Sequence, residues 1–147
     1  MMINRDICEL IPHAGSMCLL RSIKSWDDTH ITCLSNSHRD TNNPLRNELG
    51  LPMVALLEYG AQAMAVHGGL LAEKDYATMQ QGFLAALRNI KLASGWLSDI
   101  EDELEISVER NFADAGNMIY TMSISAAGIE LASGRATVVA QFSEEEK

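Results

Sequence analysis

A single carboxylate set in a long run of apolar and small residues constrains this chain more than any other feature. The run is Leu51-Pro52-Met53-Val54-Ala55-Leu56-Leu57-Glu58-Tyr59-Gly60-Ala61-Gln62-Ala63-Met64-Ala65. A segment of this composition and length reads as a helix that is apolar nearly all round, and such helices are buried. A charge buried there is costly unless it is hydrogen-bonded or put to use. Glu58 and Gln62 stand four residues apart, so both project from one face. Glu58 is therefore the first residue whose presence needs a reason.

The 147 residues suit one domain spanning 1–147. Apolar and charged fractions of 47% and 21% are those of an ordinary globular protein. No apolar run is long enough to span a bilayer, so membrane insertion is not expected. The first six residues lack a basic region followed by an apolar stretch, so no secretory leader is expected. Cys8, Cys18 and Cys33 are odd in number with no close pair, and read as reduced thiols in a cytoplasmic setting. Their spacing gives no zinc motif. A net charge of −9 argues against nucleic acid and anionic membrane surfaces as partners. Residues 143–147 read as an acidic, solvated tail.

Residues 1–16 read as an N-terminal segment, with a short helix and turn over 5–16 around Pro12-His13-Ala14-Gly15. Two strands follow over 17–26 and 29–36, joined by a tight turn at Trp26-Asp27-Asp28-Thr29. Residues 37–51 are a polar loop. The central helix is expected over about 53–70, with Pro52 beside its first turn and Gly68-Gly69 weakening its end. Strands are expected over 81–92, 103–109, 118–125 and 129–142, the second stretch from the clean alternation in Glu103-Leu104-Glu105-Ile106-Ser107-Val108-Glu109. One long helix among antiparallel strands predicts an α+β fold in which a curved sheet wraps around that helix. Ala55, Gly60, Ala61, Ala63, Ala65 and Gly68 would let the sheet approach closely. This is the hotdog arrangement, and its open edge predicts a dimer.

Chemistry then centres on few residues. A carboxyl group in an apolar setting favours its protonated form and can donate a proton, the role read for Glu58. Gln62 is placed to orient it or hold a water, or is simply structural. His38, the only histidine of the loop before the helix, is a candidate general base or a surface loop histidine. Asn43-Pro44 is a turn signal, and Asn43 a candidate supporting residue. Backbone N–H groups near Met53 and Val54, at the helix start, are candidates to hold charge on a thioester oxygen. Arg39 and Arg46 are either solvated or placed for a phosphate-bearing carrier. His13, His30 and His67 read as structural or exposed. No metal-ligand spacing, phosphate-binding loop or dinucleotide fingerprint is present, so no cofactor or metal is expected.

Several of these residues carry a family likeness. Ile11-Pro12-His13 with Met17-Cys18-Leu19-Leu20 resembles the N-terminal segment of bacterial 3-hydroxyacyl-acyl-carrier-protein dehydratases. Pro52, Val54, Glu58, Ala61 and Gln62 fall at the spacing of that family's Pro-Gly-Val…Glu…Ala-Gln motif. Ser37-His38-Arg39-Asp40, Asn43-Pro44-Leu45-Arg46 and the stretch from Ala61 to Gly68 are similar to a divergent branch, some of it found with aryl polyene biosynthesis. Two positions depart from the main family. Fourteen residues before Glu58, where that family has the histidine of Gly-His-Phe-Pro, stands Pro44, and Met53 replaces the glycine at the helix start.

The resemblance implies a hotdog fold and dehydration of a 3-hydroxyacyl thioester on acyl carrier protein to the trans-2-enoyl thioester. His38 would take the α-proton, and Glu58 would protonate the departing hydroxyl. The two would meet across a dimer interface, in a homodimer, a higher oligomer or a hetero-oligomer with another hotdog subunit. The acyl chain would lie among Leu57, Met64 and Phe83, and the acidic carrier would dock on Arg39, Arg46, Arg88 and Lys91. Two other readings stay open: a hotdog acyl thioesterase using Glu58 to activate water, and a non-catalytic subunit that partners an active dehydratase.

Overall fold

The alternating segments at 103–109 and 118–125 lie side by side in a six-stranded antiparallel sheet. The structure is a computed structural model. It describes residues 7–10, 17–74 and 77–144, and the side chains of all of these except 77–83 and 140–144. The strands are β1 (Ser22–Trp26), β2 (His30–Ser35), β3 (Ala77–Leu92), β4 (Leu104–Asp114), β5 (Asn117–Ala126) and β6 (Ile129–Glu144). They are ordered β1-β2-β4-β5-β6-β3. One long helix, α1 (Leu56–Lys74), packs on one face.

Period-two patterning decides which side of each strand meets α1. Leu104, Ile106 and Val108 of β4 and Met118, Tyr120, Met122, Ile124 and Ala126 of β5 are buried, while the residues between them face outward. Ile31 and Cys33 of β2 extend the same layer. Small helix residues do admit the sheet: a Cβ built on Gly60 would stand 2.6 Å from the Met122 sulfur. The loop into the helix is a chain of tight turns, with Asp40 N–H on Ser37 O, Asn43 N–H on Asp40 O and Arg46 N–H on Asn43 O.

Element boundaries differ from expectation in several places. The helix begins with a 3-10 turn, Met53–Ala55, and α1 runs through Gly68-Gly69 to Lys74. Tertiary burial outweighs the glycine penalty of about 1 kcal/mol each, because Gly68 is buried and Gly69 sits against Leu10. Strand β1 starts only at Ser22, β3 begins at Ala77, and a 3-10 turn at Leu97–Asp99 was not anticipated. The supposed acidic tail is shorter, since Ser143 and Glu144 pair with Thr78 and Ala77. Residues 145–147, 1–6 and 11–16, with His13, lie outside the described residues. The described part of the N-terminal segment is the 3-10 turn Ile7–Leu10.

The cysteine expectation is corrected for two of the three. Cys8 and Cys18 form a disulfide with Cα atoms 5.7 Å apart. Spacing alone hid the pair; packing makes it, because the Ile7–Leu10 turn and Leu19 are both seated on α1. The reduced-thiol argument for a cytoplasmic setting therefore does not apply to this pair. Cys33 remains a free thiol, buried, its pKa pushed up to about 12 by desolvation. Among the described residues, no helix is long and apolar enough to cross a membrane.

Candidate functional site

Helical spacing puts Val54, Leu57, Glu58 and Ala61 on one stripe at the start of α1. Together with Leu45 and Leu84 they line a groove of about 420 Å³. Leu45 comes from the turn-rich loop and Leu84 from β3, so helix, loop and sheet each supply a wall. Glu58 is half-buried and is the one charged side chain among the described lining residues. The groove is large enough for part of an extended ligand.

Gln62 stands one turn behind Glu58 and is buried. Its Oε1 accepts the Leu19 N–H at 2.8 Å, and its Nε2 donates to the Met17 carbonyl at 2.6 Å. The same Nε2 makes a long contact, 3.5 Å, with Glu58 Oε2. Gln62 thus links the carboxylate to the segment that enters β1. The helix start offers donors as well. Its first internal bond runs from Ala55 N–H to Pro52 O, so the N–H groups of Met53 and Val54 precede it and have no partner inside the helix. Met53 itself is buried, whereas Val54 is exposed on the groove wall.

His38 lies elsewhere. Its ring is fully buried, and Nε2–H donates to the Ile100 carbonyl at 3.0 Å. Nδ1 is buried without a hydrogen-bond partner among the described residues. Burial lowers its pKa below the ordinary imidazole value, with the Ile100 carbonyl pulling the other way. His38 is not among the residues lining the Glu58 groove. Arg39, exposed, reaches the same Ile100 carbonyl at 3.4 Å. Arg46 is half-buried, and Arg88 and Lys91 are exposed on β3. Of the expected chain-lining residues, Leu57 lines the groove, Met64 is buried, and the side chain of Phe83 lies outside the described ones.

Asn43 turns out to be a brace. Its Nδ2 donates to Ser37 O at 3.0 Å and to the Tyr59 hydroxyl at 3.1 Å, while its Oδ1 accepts the Leu45 N–H at 2.9 Å. Tyr59 in turn shares a 2.7 Å bond with the Ser37 hydroxyl, which donates to Leu19 O. Burial raises the Tyr59 pKa, so the phenol stays protonated. Sequence reasoning passed over Tyr59. A tyrosine in an otherwise apolar helix must find a partner for its hydroxyl, and the polar loop before it was the place to look. A second buried relay joins His67 Nδ1 to the Tyr120 hydroxyl at 2.7 Å and His67 Nε2–H to Asp27 O at 2.9 Å. Among the described residues, no group of three or more His, Cys, Asp or Glu is placed to hold a metal ion.

The model of the ApeP-like family, described as ApeP dehydratase, matches residues 5–146. Comparison with curated proteins gives no match. Among solved structures, the chain is similar to the dehydratase heterocomplex ApeI:P from Xenorhabdus doucetiae, with 25% identity and a TM-score of 0.85 over 95% of this chain and 93% of that one. A mutant thioesterase from Pseudomonas aeruginosa shares 12% identity and a TM-score of 0.59, covering 81% of this chain and 79% of that one. A mutant hypothetical protein from Staphylococcus aureus shares 12% identity and a TM-score of 0.62, covering 82% and 92%. The last two likenesses bear on the fold alone. One long helix against a six-stranded antiparallel sheet, shared with these structures, is the hotdog fold.

Proposed function

Because the chain belongs to the ApeP-like family of ApeP dehydratases, we propose that it removes water from a 3-hydroxyacyl thioester carried on acyl carrier protein, as one subunit of a two-subunit hotdog dehydratase. The observation that carries this reading is the half-buried Glu58 on the wall of an otherwise apolar groove, at the start of a helix.

In the proposed reaction a base removes the α-proton, and electron density shifts onto the thioester oxygen. Donors at Met53 and Val54 hold that charge. The β-hydroxyl then leaves as water with the proton of Glu58, and the trans-2 double bond forms. The base comes from the facing subunit, since no histidine lines this groove among the described residues and His38 is buried against Ile100. The Xenorhabdus relative is a dehydratase heterocomplex, which supports pairing with a second, different hotdog subunit here. Carrier docking falls to Arg88 and Lys91 on the β3 edge, with Arg39 and Arg46 at the loop. Arg88 stands opposite Arg135 in register, and two facing cations favour an anionic partner.

Turnover of a 3-hydroxyacyl carrier by the chain with its partner, followed as loss of water from the acyl group, tests this directly. Glu58→Gln should lower kcat by on the order of 100-fold, the range for loss of a general acid. Release of free thiol from a saturated acyl thioester would instead make the protein a thioesterase. Unchanged dehydration by the Glu58→Gln complex would leave this chain a structural subunit.

A further inference from the structure

The disulfide adjoins the residues that hold Glu58. Cys18 lies between Met17 and Leu19, and these two supply the backbone groups that Gln62 grips, at 2.6 and 2.8 Å. Gln62 Nε2 also reaches Glu58 Oε2 at 3.5 Å. Gln62 is buried with both ends of its amide committed, so its position follows the segment around Cys18. The other half of the bridge, Cys8, belongs to the Ile7–Leu10 turn. That turn is seated on α1 about two helical turns beyond Gln62. There a Cβ on Gly69 would lie 3.3 Å from the Leu10 carbonyl oxygen. Ile7 and Leu10 are buried in the core, which anchors Cys8. The bridge therefore ties a fixed seat on the helix to the segment that orients the carboxylate.

We propose that the Cys8–Cys18 disulfide is a redox-controlled clamp that positions Glu58 through Gln62, holding the carboxylate in register when oxidised and releasing it when reduced. The proposal rests on the reading of Glu58 as proton donor. Both cysteines are half-buried and open to a small dithiol reductant. One reductant thiolate attacks a bridge sulfur to form a mixed disulfide, and its second thiol displaces the protein sulfur. The protein disulfide gains two electrons and two protons and becomes two thiols, while the dithiol becomes its cyclic disulfide. Cys33, buried and protonated, takes no part. Once the bridge opens, Leu19 stays held by the Ser35 and Ser37 hydroxyls, while Met17 loses its tie to the Ile7–Leu10 seat and the Nε2 end of Gln62 follows it. Small displacements of a positioning group cost rate rather than binding.

The test uses the full chain with its partner, air-oxidised and then treated with dithiothreitol. Oxidised protein should show a mass lower by two hydrogens than the reduced form. Reduction should lower kcat by on the order of tenfold, with KM for the acyl carrier unchanged and the loss reversed on reoxidation. Cys8→Ser/Cys18→Ser should start at the low rate and ignore dithiothreitol. A second readout is independent of turnover: the side-chain amide resonances of Gln62 should move on reduction of the wild-type chain. Equal kcat in both states, or free thiols at Cys8 and Cys18 after air oxidation, overturns the clamp. Should neither state turn over, the dehydratase reading fails, and the Gln62 resonances decide the clamp alone. A shift upholds it and constant signals overturn it.

Discussion

The hydroxyl of Tyr59 is the point at which the loop is tied to the helix. It joins Ser37 and Asn43, and Asn43 fixes Leu45, which walls the groove. Tyr59→Phe should lower stability by about 1–3 kcal/mol, because buried partners are left short of a bond. Urea unfolding measures it, and a double cycle with Asn43→Ala should be non-additive; additive losses would mean two independent contacts. The buried histidines bring a pH dependence. An unfolded imidazole titrates near 6.5, and burial lowers the pKa of both His38 and His67 in the fold. The folded chain therefore takes up protons less readily than the unfolded one. Stability is complete above 6.5 and is lost as pH falls from there through the lowered folded values. For His67 the cause is desolvation first, with Arg110 and His30 adding to it and Asp27 opposing. Thermal melts across this range should show a falling Tm on acidification, and His67→Gln should flatten part of the slope. A Tm that stays level below 6.5 would mean that the histidines are solvated in solution.

The helix shows how far the sequence could be read and where it fell silent. Gly60 was legible as a small residue because a buried helix must let the sheet approach, and Met122 does crowd it. Gly60→Ala gains about 1 kcal/mol of helix propensity, but overpacking against Met122 costs about 1–3 kcal/mol. We expect a net loss measurable by denaturant unfolding, and partial recovery in Gly60→Ala/Met122→Ala would trace it to that sulfur. The strand faces of β4 and β5 were legible for the same reason: period-two burial is a local pattern. The end of α1 was not. Gly68-Gly69 reads as a weakened end near residue 70 from propensity alone, yet Leu10, nearly sixty residues away in sequence, needs Gly69 there. Glu58 and Gln62 stood out as a pair because their spacing is local. The Cys8–Cys18 bridge, the Tyr59 brace and the buried setting of His38 depend on what packs against what, and composition carries no such information.

At the scale of the molecule, the sheet leaves β3 as an edge with one side of its backbone unpaired in the sheet. The register also says which way its side chains face. Leu84, Leu87 and Leu92 pair with Val138, Ala136 and Ala132, so irregularities between Leu84 and Ala86 and between Arg88 and Lys91 keep all three on the face that carries the buried Ala136 and Ala132. They are 44%, 36% and 38% exposed, an apolar rim that α1 does not cover. Val54, 52% exposed at the helix start, borders the same groove. A second hotdog subunit set along β3 would cover this rim and close the groove over Glu58. It would also bring a base to the Glu58 groove. Leu87→Lys should then weaken subunit association and, through it, dehydration, while leaving the fold intact by circular dichroism. Sedimentation of the wild type with its partner should show a complex that Leu87→Lys dissociates at the same concentration. Leu49→Lys is the matched control, since Leu49 is 80% exposed on the loop and lines no part of the groove. Equal association by Leu87→Lys and wild type would place the partner on another face and leave Glu58 without a neighbour to supply the base.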